Sequence, residues 1–308
     1  MKVSLMMPIG EREDGTIASW PDLRELAEHA EGGGLDALWL PDHLLFRRDG
    51  GRDGVTRGLH EAWTLLTALA VATSRVELGP LVLAMPFRNP ALLAKMAVEL
   101  DEVSGGRLTL GVGCGWHRPE FEAFGFPFDH RVSRFAEALQ ILVPLLRTGR
   151  ASFIGRYHVA VDAELRPAGP RPGRIPLLIA GKGPRMLSLV ARYADAWNAA
   201  WYGPLEESPE LEERLAALDL ALRGEGRDPA SIDRTVGLFV HFPALPGSEQ
   251  APATAIRGEV EDVAAELARY AERGIKQVIV HIWPRSPAAV DRLARAANLA
   301  RERQAVPG

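Results

Sequence analysis

Short apolar runs recur along the chain, and each is followed by a stretch in which apolar positions return every three or four residues. The runs predict strands over 3–8, 35–41, 76–84, 107–112, 176–181, 194–199, 236–242 and 276–283. The stretches between them predict amphipathic helices over 20–32, 61–74, 90–104, 130–146, 184–193, 209–223, 259–273 and 287–303. Strict alternation implies a parallel sheet covered by helices, because each parallel crossover needs a connection long enough to hold one. Eight such units in 308 residues match the size at which the sheet closes into a (β/α)8 TIM barrel. An open doubly wound sheet usually carries a glycine-rich fingerprint after its first strand. Here that turn reads Pro8-Ile9-Gly10 and runs into charged residues. No linker, internal repeat or low-complexity segment divides the chain, so residues 1–308 are read as a single domain.

Four of the longer connections, 47–60, 113–129, 202–208 and 243–258, follow strands, which puts them on the face where such barrels carry their function. The Gly- and Arg-rich connection 47–60 reads equally as a lid or as a solvated surface loop. Segment 148–174 follows a helix instead, and its SFIGRYHVAV stretch predicts a small hairpin before the fifth strand. The third strand contains Pro80, which removes a ladder hydrogen bond and predicts a bulge or an irregular backbone there.

Composition narrows the function. At 47% hydrophobic the chain can bury a large core. Its formal charge of −4 and the lack of any basic run argue against a nucleic-acid partner. One cysteine, Cys114, excludes an internal disulfide framework and agrees with a reducing compartment. No run of about 18 apolar residues is present to span a membrane, and the apolar N-terminal stretch is too short for a signal peptide. The expectation is a cytoplasmic protein without a membrane partner.

The residues just past each strand are the candidates for chemistry. Pro41-Asp42-His43 ends the second strand, and the adjacent carboxylate and imidazole suit general acid/base work or hydrogen bonds to a ligand ring. The competing reading has Asp42 capping the turn and His43 packed. Gly111-Val112-Gly113-Cys114-Gly115-Trp116 ends the fourth strand, where glycines allow close approach of a ligand. LLIAGKGPR ends the fifth. Its glycines, its Pro at the start of a helix and its lysine, one of only four among 36 basic residues, suit an anion clamp or a tight turn. The histidines have no metal-ligand spacing, and GxSxG, Walker A and HExxH patterns are missing. An aldolase-like barrel using Lys182 as a Schiff base, and a barrel that binds without catalysis, remain alternatives.

Four stretches, taken in order, carry a resemblance: GLDALWLPDHLLF, EAWTLLTALAVATSRVELGPLVL, FRNPALLAKMAVELDEVSGGRLTLGVGCGW and IPLLIAGKGPRMLSLVARYADAWN. Over roughly residues 1 to 200 the chain resembles the luciferase-like flavin-dependent oxidoreductases, in particular their short coenzyme F420-dependent branch. The resemblance implies hydride transfer between bound F420 and a small organic substrate. The alternative it leaves is an FMN-dependent monooxygenase fed by a reductase partner. It implies a ring site at Asp42, His43, a non-prolyl cis peptide Leu81-Val82 and Gly113, with His43 as the acid/base or electrostatic partner. It places the cofactor phosphate at Gly181, Lys182 and Gly183, and suggests a homodimer. Trp116, Trp201 and Trp283 are expected to wall the substrate pocket. Trp116 also stands where F420-dependent sugar-phosphate dehydrogenases carry a catalytic Glu, so their substrate and proton relay do not transfer. Glu120, one helical turn further on, has no sequence basis for a role.

Overall fold

The computed structural model describes residues 1–47, 55–247 and 250–305. All eight predicted strands form: β1 (Lys2–Met6), β2 (Ala37–Leu40), β3 (Glu77–Pro80, resuming as Leu83–Ala84), β4 (Leu110–Gly113), β5 (Leu177–Ala180), β6 (Ala196–Tyr202), β7 (Asp233–His241) and β8 (Gln277–Trp283). Each is followed by its helix: α1 (Trp20–Gly32), α2 (Ala62–Ala72), α3 (Pro90–Val103), α4 (Arg131–Thr148), α5 (Pro184–Tyr193), α6 (Pro209–Gly224), α7 (Val260–Glu272) and α8 (Pro287–Ala305). The helix starts are written locally. Ser19 and Asp22 form a capping box for α1, Asn89 caps α3 through the Ala91 and Leu92 N–H groups, and proline opens α3, α5 and α6.

All barrel pairings are parallel, and the sheet runs from the first half of β3 through β2, β1, β8, β7, β6, β5 and β4 to the second half of β3. The third strand thus closes the barrel with both halves. Leu78 donates to Arg107 O and Thr109 donates to Leu78 O, at 2.9 and 2.8 Å, across the seam. The predicted irregularity near Pro80 falls at Leu81-Val82, whose peptide is cis, and Ala200-Trp201 in β6 is a second non-prolyl cis bond that sequence reasoning did not foresee. The seam requires glycine at position 111, because a Cβ there would lie 2.0 Å from the Pro80 carbonyl oxygen. Gly237 is required in the same way, with the Trp201 ring 2.6 Å from where its Cβ would be.

Two apolar bodies result. The larger lies between the strands and the helices, and the smaller fills the barrel with Met6, Trp39, Leu178 and Ile279, against which Leu81, Val82 and Trp201 pack. The predicted hairpin in 148–174 is present as Arg150–Ile154 paired antiparallel with Val159–Glu164. Two connections hold more structure than expected. A short helix, Arg118–Phe124, stands in 113–129, and Phe46–Arg47 pairs with Thr56–Arg57 in 47–60, whose residues 48–54 lie outside the described residues together with any lid role assigned to them.

Candidate active site

A cavity of about 610 Å³ opens at the carboxyl ends of β2 to β6. Its walls are Asp42 and His43 after β2, Leu81, Val82 and Ala84 from β3, Gly113 to Trp116 after β4, Ala180 to Gly183 after β5, and Asn198, Ala200 and Trp201 from β6. Most positions expected in a site therefore converge. Trp283 does not. It is buried at 7% exposure and packs on His281 and Phe239, because β8 lies across the barrel from the strands that build the cavity. Trp116 and Trp201 are the tryptophans of the wall.

The two ends of the cavity differ in character. At one end the Asp42 carboxylate is buried and fully engaged: Arg88 donates to its two oxygens at 2.7 and 2.9 Å, and the Ala84 N–H donates at 2.8 Å. Burial alone would lower the Arg88 pKa, but the hydrogen bond and charge of Asp42 hold it above its ordinary value. No hydrogen bond joins Asp42 to His43 among the described residues. The carboxylate that meets the imidazole is Glu120, 3.0 Å from His43 Nδ1 and 1% exposed. Sequence reasoning left Glu120 aside, since its partner lies 77 residues away.

His43 is boxed by rings. Phe46, Trp116 and His117 stand edge-on to it at 5.8, 5.6 and 6.0 Å. His117 Nε2 accepts from the Arg47 N–H at 3.0 Å, which requires a neutral ring, and burial lowers its pKa despite the nearby Glu120 charge. That bond ties the paired segments Phe46–Arg47 and Thr56–Arg57 to the site.

The far end is cationic. Gly183 caps α5 without any side-chain bond, Pro184 has no N–H to donate, and the helix presents its positive end to the cavity at Gly181-Lys182-Gly183. Lys182 and Arg131 both line the cavity here, and neither has an acidic partner among the described residues. Arg131 was not foreseen, because it sits at the start of a helix beyond the strand-end connection. Burial pushes the Cys114 thiol above its ordinary value, against the pull of the Arg131 charge, which disfavours the thiolate. On the β6 wall, the Asn198 amide donates to Thr235 Oγ1 at 2.9 Å, which fixes its orientation. No cluster of three or more His, Cys, Asp or Glu that could hold a metal occurs among the described residues. No helix among them is long and apolar enough to cross a membrane.

Comparison with known proteins bears directly on this architecture. A family model described as luciferase-like monooxygenase matches residues 1–273. The chain belongs to this family. Among its relatives, an F420-dependent glucose-6-phosphate dehydrogenase of Amycolatopsis mediterranei is 34% identical over 246 residues, covering 77% of this chain and 70% of that enzyme. A 5,10-methylenetetrahydromethanopterin reductase of Archaeoglobus fulgidus is 32% identical over 56% of this chain, which spans less than half, 47%, of that protein. The solved coenzyme F420-dependent tetrahydromethanopterin reductase of Methanopyrus kandleri superposes with a TM-score of 0.75 at 18% identity, covering 98% of both chains. That likeness speaks for the family's barrel fold.

Behind the cavity, one histidine reports on stability. His281 packs between Trp201 and Trp283, and burial, aided by the Arg285 charge, lowers its pKa to about 3. The folded ring stays neutral where the unfolded one, near 6.5, takes up a proton, so the contribution is present above 6.5 and lost as pH falls towards 3. Wild type should lose up to about 1.4 kcal/mol per pH unit in that window relative to His281→Phe, measured by urea unfolding at a series of pH values. Parallel stability curves for the two proteins would contradict this.

Proposed function

We propose that the protein is an F420-dependent oxidoreductase that moves a hydride between bound deazaflavin and a small organic substrate. The observation that carries the reading is the polarity of the cavity lining: a cationic, glycine-lined stretch at Gly181, Lys182, Gly183 and Arg131 after β5 and β4, and an imidazole at His43 after β2, with apolar Leu81-Val82 on the strand between β2 and β4. A long, flat, phosphate-bearing cofactor fits that order, and the F420-dependent relatives support the choice of group. When bound, the deazaflavin supplies the hydride chemistry. The protein would hold its phosphate at 181–183 and Arg131, pack its ring against Leu81, Val82 and Gly113, and keep His43 Nε2 toward the substrate. Asp42 then serves the site through Arg88 and the Ala84 N–H, holding the strand ends together, and not as an acid or base. The reading includes a cytoplasmic homodimer, which light scattering can check.

The second reading, an FMN-dependent monooxygenase supplied by a reductase, is favoured by the family's own description. Titrating the purified protein with F420 and with FMN, followed by ring fluorescence, separates the two. Tight binding of F420 is expected, with Lys182→Ala weakening it about 10-fold, the value of one lost charge-assisted phosphate contact, and leaving the melting temperature unchanged. Tight binding of FMN alone would favour the second reading. Tight binding of neither would end both.

A further inference from the structure

We infer that Glu120 is a positioning residue that sets the tautomer of His43, so that Nδ1 carries the proton and Nε2 faces the cavity as an acceptor. Glu120 lies in Arg118–Phe124, a short helix that the strand and helix alternation of the barrel does not require. One of its carboxylate oxygens, Oε2, accepts the Leu44 N–H at 2.9 Å. A backbone amide can only donate, so this bond anchors the carboxylate in place. His43 Nδ1 then lies 3.0 Å from Oε1 and 3.2 Å from Oε2, facing a group that only accepts when ionised. The ring nitrogen on that side must therefore bear the hydrogen. Three rings stand edge-on around the imidazole at 5.6 to 6.0 Å, and a half-turn of the ring would set Cδ2, which is no hydrogen-bonding nitrogen, against the carboxylate.

The consequence for chemistry, which rests on the proposed hydride transfer, is a defined proton path. When an alcohol is oxidised, its carbon gives up hydrogen with both bonding electrons to the deazaflavin. Its hydroxyl proton passes to Nε2 as the C=O bond forms. The imidazolium so produced faces the buried Glu120 carboxylate, which balances its charge. Reduction of a carbonyl runs the same transfers backwards, with the proton delivered from Nε2.

The tautomer can be read on the free protein, without cofactor, from long-range 1H–15N correlations of the His43 ring at high pH. Wild type should show the Nδ1–H form. In Glu120→Gln the amide oxygen is claimed by the Leu44 N–H, which turns the NH2 group toward His43 and should invert the ring to the Nε2–H form. Turnover of the loaded variant should fall in kcat by roughly 10- to 100-fold, with KM little changed. An Nε2–H ring in wild type would overturn the inference even if the variant failed to fold. So would a folded Glu120→Gln whose tautomer is unchanged. Failure of F420 to bind would sink the proposed cofactor and leave this measurement intact, so the two claims fail separately.

Discussion

Replacing His43 with Ala is expected to lower kcat by roughly 100- to 1000-fold while the dissociation constant for the cofactor stays within a few-fold of wild type. The asymmetry follows from the shape of the cavity. His43 stands at the imidazole end, and the charge that would hold a phosphate comes from Lys182 and Arg131 at the other. With the ring gone, the hydroxyl proton released on oxidation loses the acceptor of the proposed path, since Glu120 is held by the Leu44 N–H and the Asp42 carboxylate is taken by Arg88. Steady-state kinetics with a titration of F420 measures both quantities. Unchanged turnover would remove His43 from the chemistry, and a matching loss of cofactor affinity would make it a binding residue.

Arg88→Ala is expected to cost about 3 to 5 kcal/mol of folding stability, the penalty for leaving a buried carboxylate without its partner. The Asp42 side chain is 1% exposed, and without the guanidinium it keeps only the Ala84 N–H as a partner among the described residues. Adding Asp42→Asn should recover part of the loss, because the uncompensated charge disappears with it. Denaturant unfolding of the two single variants and the double variant completes the cycle. A loss for Arg88→Ala near the 0 to 1 kcal/mol typical of exposed pairs would mean that water reaches the Asp42 carboxylate in solution.

The architecture was legible in the sequence because parallel barrel strands are buried on both faces and read as near-continuous apolar runs, while caps such as Ser19 and Asn89 mark helix starts locally. The break in the third strand was legible only in part. Pro80 signals that a ladder bond is missing, but the cis bond at Leu81-Val82 came from the resemblance, and the equivalent at Ala200-Trp201 left no mark in the pattern. The turn after β5 was legible because its residues are contiguous: Gly181, Lys182 and Gly183 announce a turn that can meet an anion, and all three line the cavity. On the imidazole side, His43 was legible from its place after β2, but its partner was not. A glutamate in a strand-end connection is by default a solvated one, and nothing in the spacing tells that Glu120 is carried inward to a histidine on another strand. Trp283 failed for the converse reason, since ending a strand says nothing about which side of the barrel mouth holds the cavity.

The short helix Arg118–Phe124 and the closing turn of β5 differ in how many partners each needs. The turn works with one adjacent strand and one helix start. The helix must deliver a single carboxylate to an imidazole from a different unit while Leu44 and the rings around it hold still. On the proposed function, insertions or deletions in 113–129 would therefore retune or abolish proton handling while leaving the Gly181-Lys182-Gly183 turn in place. On that reading, a lineage built on this scaffold would change the molecules it acts upon by editing one connection, and keep its redox partner throughout.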